Sequence, residues 1–283
     1  MNAKRMKYLL LCVGLVLAAL LPGFYNALRV QRYKIDAAGI DAPVRIALIS
    51  DLHSCRYGEG MRELIDAVDA EAPDLIALTG DIFDDDLPDD NAEIFLRAVS
   101  GRYPCWYVTG NHEYWAGREA FARKMAILED CGVKRLSGEA ETIDLNSAVL
   151  TLCGVDDPAS ARFAATDRTC AANGFEGQLL NVRQQTEDAA YTILLCHRPE
   201  SFDRYAELGF DLVLSGHAHG GQWRVPGILN GVFAPDQGVF PRLAGGLYQK
   251  NDTTMIVSRG LARESTRVPR IYNRPELVII DLE

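Results

Sequence analysis

Val44-Arg45-Ile46-Ala47-Leu48-Ile49-Ser50-Asp51-Leu52-His53 is the stretch from which the rest of the chain is read. A short apolar run rich in aliphatic residues has the pattern of a strand, and it stops at a polar D-x-H. The same grammar returns four times. Leu75–Thr79 runs into Gly80-Asp81, residues 106–109 into Gly110-Asn111-His112-Glu113, residues 192–196 into His197-Arg198-Pro199, and Leu212–Ser215 into Gly216-His217-Ala218-His219. All five histidines of the chain fall in these punctuations.

Between the runs, apolar residues recur at helical spacing: Met61, Leu64, Ile65 and Val68, then residues 92–99, 118–130 and 201–208. Strands alternating with helices at these lengths predict α/β units. The middle is less regular. Residues 141–145 and 149–154 read as short antiparallel strands, and 156–177 as a polar surface excursion with one helical piece. Two further strands, 254–258 and 277–281, are joined by a loop containing Pro269 and Pro275. A βαβ-type half followed by a strand-rich half predicts two sheets packed face to face with helices outside, in one domain over residues 35–283.

Asp51, Asp81, Asn111, His197 and His217 each fall just beyond the C-terminal end of a predicted strand, the edge at which α/β sheets bind ligands. Gly80, Gly110 and Gly216 precede three of them and permit a sharp turn underneath. A single His or Asp after a strand is ordinarily a cap or a solvated loop residue. The ordered set is another matter; with His53, His112 and His219 it numbers eight donors. Imidazole and carboxylate suit Zn, Mn or Fe, and there are too many donors for one ion. The pattern therefore predicts a two-metal hydrolytic centre.

Composition bounds the alternatives. The chain has 283 residues, 48% hydrophobic and 24% charged, with a net charge of −10. Residues 1–34 hold six basic residues and no acidic one, so the body is more acidic still. That balance excludes a duplex nucleic-acid partner, whose phosphates must be neutralised by Lys and Arg. The seven cysteines are scattered without a C-x-x-C pair, neither a disulfide framework nor a zinc ribbon. Cys55, close to His53, reads as a neutral loop thiol rather than a ligand. Residues 1–34 read as a membrane anchor with a basic juxtamembrane segment. Lys4, Arg5 and Lys7 precede an uncharged stretch that reaches Leu28, twenty-one residues from Tyr8. That is enough for ~30 Å of hydrocarbon as a transmembrane helix; a cleaved signal peptide is the rival reading. Arg29, Arg32 and Lys34 are expected to meet anionic lipid headgroups.

The combined pattern D-x-H, G-D, G-N-H-[DE], H, G-H-x-H resembles the calcineurin-like metallophosphoesterases over residues 44–282. Gly245-Gly246-Leu247-Tyr248, Ser258-Arg259-Gly260 and Asn273-Arg274-Pro275-Glu276 resemble its bacterial membrane- or cell-wall-associated subgroup, although Ala218 stands where that subgroup often has Thr. The resemblance implies a four-layer α/β/β/α sandwich of two mixed sheets. It also implies two divalent ions (Mn, Zn, Fe or Mg), one on Asp51, His53, Asp81 and His219, the other on Asp81, Asn111, His197 and His217. His112 would be the acid beside the leaving oxygen, with Glu113 orienting it or simply exposed. One of Asp84, Asp85 and Asp86 would hold a ligand histidine, or the run is a solvated loop. Arg56 and Arg259, ahead of Arg198, are candidate phosphate contacts, each weighed against a surface salt bridge. The expected function is hydrolysis of a phosphodiester or pyrophosphate bond by a metal-bridging hydroxide, from a single-pass anchor in the bacterial inner (cytoplasmic) membrane, on either side. The loop aromatics Tyr57, Trp115, Trp223 and Tyr248 suit a lipid-linked or envelope phosphoester. The alternatives are a UDP-2,3-diacylglucosamine pyrophosphatase of lipid A synthesis and a catalytically inactive scaffold of the same fold.

Overall fold

The computed structural model describes residues 3–164, 174–263 and 268–283. Helix α1 (Ala3–Leu20) is followed by β1 (Arg29–Ile35) and β2 (Val44–Ile49). The chain then alternates through α2 (Arg62–Glu71), β3 (Leu75–Thr79), α3 (Asp90–Ser100) and β4 (Cys105–Val108). A short α4 (Asn111–Trp115) and α5 (Arg118–Asp130) lead to β5 (Lys134–Arg135). Next come the hairpin of β6 (Glu139–Leu145) and β7 (Ala148–Gly154), α6 (Ala161–Ala164) and α7 (Phe175–Gln185). β8 (Thr192–Leu195), α8 (Phe202–Leu208) and β9 (Leu212–Ser215) follow. A small ribbon of β10 (Phe233–Ala234) and β11 (Gly238–Val239) precedes β12 (Gly246–Lys250), β13 (Thr253–Val257) and β14 (Glu276–Leu282). Of the predicted excursion, residues 165–173, Cys170 among them, lie outside the described residues.

Two six-stranded sheets result, in the orders β1-β14-β2-β3-β4-β5 and β12-β13-β9-β8-β7-β6. In each, four neighbouring strands are parallel: β2 to β5 in one, and β13, β9, β8, β7 in the other. Antiparallel β14 and β12/β6 pairings make both sheets mixed. The two-residue period of the strands sorts the core. Ile46 and Leu48 face the other sheet and meet Leu152, Ile193 and Leu214, while Ala47 and Ile49 face Leu64, Phe95 and Leu128 of the helices. On the second sheet Leu194 and Val213 meet Leu179 of α7 and Tyr205 of α8. Burial on both faces explains why these strands read as unbroken apolar runs.

One expectation is corrected. Among the described residues no helix is long and apolar enough to cross a membrane, so the predicted transmembrane helix is not there. The first turns of α1 carry Lys4, Arg5 and Lys7, and the helix ends at Leu20 before Pro22. Its uncharged part therefore spans only ~20 Å at about 1.5 Å per residue. The rest of the apolar stretch leaves the helix and docks on the body, where Tyr272 N donates to Gly23 O over 2.7 Å. The basic segment that follows forms a strand, Arg29–Ile35, paired along its whole length with β14. Arg32 Nε donates to Glu71 over 2.9 Å and Lys34 Nζ to Glu283 over 2.6 Å.

Candidate metal centre

The loops after β2, β3 and β4 in one sheet and after β8 and β9 in the other open at a common edge. They are laced together by the main chain: Asp51 N donates to Gly80 O (3.1 Å), His53 N to Asp81 O (2.9 Å) and Gly216 N to His197 O (3.2 Å). Asp51, His53, Asp81, His217 and His219 all have positive φ, between 46° and 66°. Such conformations cost about 1–3 kcal/mol each and persist where surrounding structure enforces them, typically at functional sites. Gly80 and Gly216 are required by space. A Cβ on Gly80 would lie 2.6 Å from Gly110 N, and one on Gly216 1.8 Å from Ser50 Oγ.

Two groups of donors form within this edge. Asp51, His53, Asp81 and His219 present atoms all within 4.8 Å of one another, and so do Asp81, His197 and His217. Asp81 Oδ2 lies 3.6 Å from His53 Nε2 and 3.1 Å from His197 Nε2, between the groups. His197 Nδ1 donates to Thr79 O over 2.7 Å, which leaves the lone pair of the neutral ring on Nε2, 3.2 Å from His217 Nδ1. His53 Nδ1 likewise bonds Asp84 Oδ2 over 3.0 Å and turns Nε2 inward. His53 Nε2, Asp81 Oδ2 and Asn111 Oδ1 are buried without a hydrogen-bond partner. Buried polar atoms are nearly always paired, so this convergence of lone pairs fits divalent cations.

Charge is strongly biased here. Burial pushes Asp81 upward, but the charges of His197, His112 and His53 outweigh it and hold the carboxyl well below the usual range. Burial lowers His197, yet the facing Asp81 and then Asp51 carry it up to about 10, so the metal-free chain holds a proton where a cation would sit. Burial, then the neighbouring His197 and Arg198, bring His217 down to about 3 and leave it neutral.

Of the supporting residues, Asp84 holds a histidine as one sequence reading has it, and Glu113 sits otherwise than the sequence suggests. Glu113 is not exposed but wholly buried; Oε2 accepts from Asp81 N (3.1 Å) and Gly110 N (2.8 Å), Oε1 from Phe83 N (3.1 Å). It ties the G-D loop to the G-N-H loop. Asp84 and Asp85 are both engaged rather than solvated, Asp84 on His53 and Asp85 Oδ1 on His112 Nδ1 at 2.5 Å. Arg198 enters the site: its Nη1 lies 2.8 Å from His217 Nε2, and its fork grips Asp157. Arg259 instead pairs with the buried Glu276 over 3.3 Å, and Arg56 is exposed, its Nε donating to Gly58 O. Tyr57 is buried, its hydroxyl on Leu261 O, whereas Trp115 is exposed with its ring 4.7 Å from that of His112. Cys55 is buried and accepts from Arg263 N (3.2 Å). Asn273, which the sequence marks only as part of the Asn273–Glu276 stretch, supports the last histidine by donating to His219 O over 2.7 Å.

A mixed-sheet sandwich with such a cluster at its edge defines a metal-dependent phosphohydrolase. Residues 44–221 match the calcineurin-like phosphoesterase family, and the chain belongs to it. An uncharacterized metallophosphoesterase of Aquifex aeolicus is 31% identical over 90% of this chain and 92% of its own length. Phosphodiesterase YaeI of Escherichia coli is 27% identical over 92% of this chain and 89% of its own. The NAD nucleotidase NadN of Haemophilus influenzae shares the fold at 13% identity, with a TM-score of 0.50 over 77% of this chain and 45% of that one.

Proposed function

We propose that this chain hydrolyses a phosphodiester or pyrophosphate bond with two divalent cations. One would be held by Asp51, His53, Asp81 and His219, the other by Asp81, Asn111, His197 and His217. The observation that carries this reading is the position of Asp81 Oδ2, buried between His53 Nε2 at 3.6 Å and His197 Nε2 at 3.1 Å. The cations supply Lewis acidity toward the phosphoryl oxygens and lower the pKa of water. The chain's own residues supply the geometry. Asp81 Oδ1 accepts from His112 N over 2.9 Å, which fixes the acid's backbone to the bridging carboxylate. Asp85 takes Nδ1 of His112, so Nε2 is the atom that hands a proton to the departing oxygen. Arg56, exposed three residues beyond His53, is the phosphate contact. The diester preference is supported by the name of the Escherichia coli relative.

A second reading, an amphiphilic or lipid-linked phosphoester, is favoured by the exposed Phe233, Val239 and Phe240 on the ribbon that reaches the site through Asp236. Hydrolysis of bis(4-nitrophenyl) phosphate with added Mn2+, compared with Asp81→Asn, tests the main reading. Equal activity of the two proteins would overturn it. A lipid-bearing diester turned over no better than its short-chain analogue would remove the second.

A further inference from the structure

The three best-placed imidazoles each need a partner on the ring nitrogen that faces away from the centre. His197 uses the carbonyl of Thr79 and His53 uses Asp84, both from the first sheet. His217 finds its partner elsewhere. Asp236, in the turn between β10 and β11 and beyond the end of the family match at residue 221, places Oδ2 2.8 Å from His217 Nε2. Its backbone is at φ 56°, again the left-handed region that a side chain enters only under constraint.

The constraint is visible. Arg198 pairs with Asp236 through Nη1 while its Nη2 donates to Asp157 Oδ1 over 3.0 Å, and its own carbonyl accepts from Tyr205 Oη over 2.7 Å. Asp157 is fully buried and anchored in turn, its N donating to Thr109 Oγ1 over 3.0 Å. Arg198 Nη1, 2.8 Å from His217 Nε2, has only hydrogens to give; once a cation takes the lone pair of Nδ1, the ring hydrogen must sit on Nε2, and of these two neighbours only the Asp236 carboxylate can accept it. The side chain of Asp236 is 55% exposed and would be mobile without that grip.

We propose that Asp236, held by Arg198, is a positioning residue for His217: it accepts the hydrogen on Nε2 and thereby turns the lone pair of Nδ1 toward His197 and Asp81. Partners of this kind fix ring orientation and tautomer and raise ligand basicity. The inference rests on the dinuclear reading proposed above. It makes the affinity of the second cation site depend on a ribbon outside the signature motifs.

The test uses the full chain equilibrated with graded free Mn2+, with ions per chain counted by elemental analysis and the exchange-coupled pair followed by EPR. Asp236→Ala weakens the second ion about 10–100-fold and leaves the first unchanged. Asp236→Asn, whose amide oxygen accepts the same bond, binds both ions near wild-type strength, and Arg198→Ala moves in the direction of Asp236→Ala. Thermal unfolding in chelator, unchanged between wild type and Asp236→Ala, shows that the domain is intact; Asp236→Ser replaces the alanine variant if it is not. Two ions bound by Asp236→Ala as tightly as by wild type, or an asparagine variant as impaired as alanine, overturns the inference. Asp81→Asn separates the two levels. If it too retains a coupled pair, the dinuclear reading has failed; if it loses the pair while Asp236→Ala keeps it, only the role of Asp236 has failed.

Discussion

The two sheets bring unlike chemistry to the same edge. Loops of the first contribute the oxygen donors Asp51, Asp81 and Asn111 together with His53, whereas loops of the second contribute only imidazoles, His197, His217 and His219. They are also held differently. The carboxylates are fixed by main-chain N–H groups, Asp51 by His217 N at 2.9 Å and Asp81 by His112 N at 2.9 Å. The imidazoles are fixed by acceptors, such as Thr79 O for His197 and Asp236 for His217. Two of these bonds, His217 N to Asp51 and His197 Nδ1 to Thr79 O, cross from one sheet to the other. Negative charge lies on one wall and neutral lone pairs mostly on the other. The centre is complete only when the sheets pack.

The largest expected effect comes from the residue that touches both walls. Asp81→Asn should abolish coupled binding of two ions and lower hydrolysis beyond the about 10²–10⁴-fold that one proton donor contributes. Metal counting together with steady-state kinetics measures it; retention of both ions would mean that the walls bind independently. His112→Asn sharpens the contrast from the first wall alone. Its kcat should fall about 10²–10⁴-fold with both ions retained, and loss of metal would make His112 a ligand instead.

Asp84→Ala removes the partner of His53 Nδ1, together with the Oδ1 that accepts from Asp86 N and Leu87 N. It should weaken the ion on the first wall about 10–100-fold, seen in chelator competition, with the ion at His197 and His217 unaffected. The smallest effect per step is a pH slope that belongs to the second wall. His197 holds a proton up to about 10 in the metal-free chain, and a cation needs the lone pair that this proton occupies. Binding therefore releases the proton, and affinity should fall about tenfold per unit as pH drops below that value. Calorimetric Mn2+ titrations between pH 6 and 9 check the sign; an affinity independent of pH would place the proton elsewhere.

Much of this centre was legible because its signals are local. A strand that ends in Asp51 or His197 writes both its period and its donor into a few adjacent residues, and β2, β3 and β9 begin where the apolar runs begin. The burial of Glu113 is not legible, because nothing in Gly110–Glu113 reveals that the short α4 turns its third residue back onto Asp81 N and Phe83 N. The partners of Arg198 are not legible either: a guanidinium reaches far, and Asp157 and Asp236 are distant in the chain. The apolar stretch from Tyr8 reads as one span, although the backbone breaks at Pro22 and the remainder docks against Tyr272.

By itself the sequence determined the parallel α/β units, the donor types and their order, since these follow from side-chain period and from residues placed directly after each strand. Only the tertiary structure decided that β14 slots between β1 and β2, and that Glu113 and Asp236 reach the centre. The physical reason is range. Strand period and turn chemistry act over a few residues, whereas hydrogen bonds and shared lone pairs form between groups that only the packing of two sheets brings within 3–4 Å.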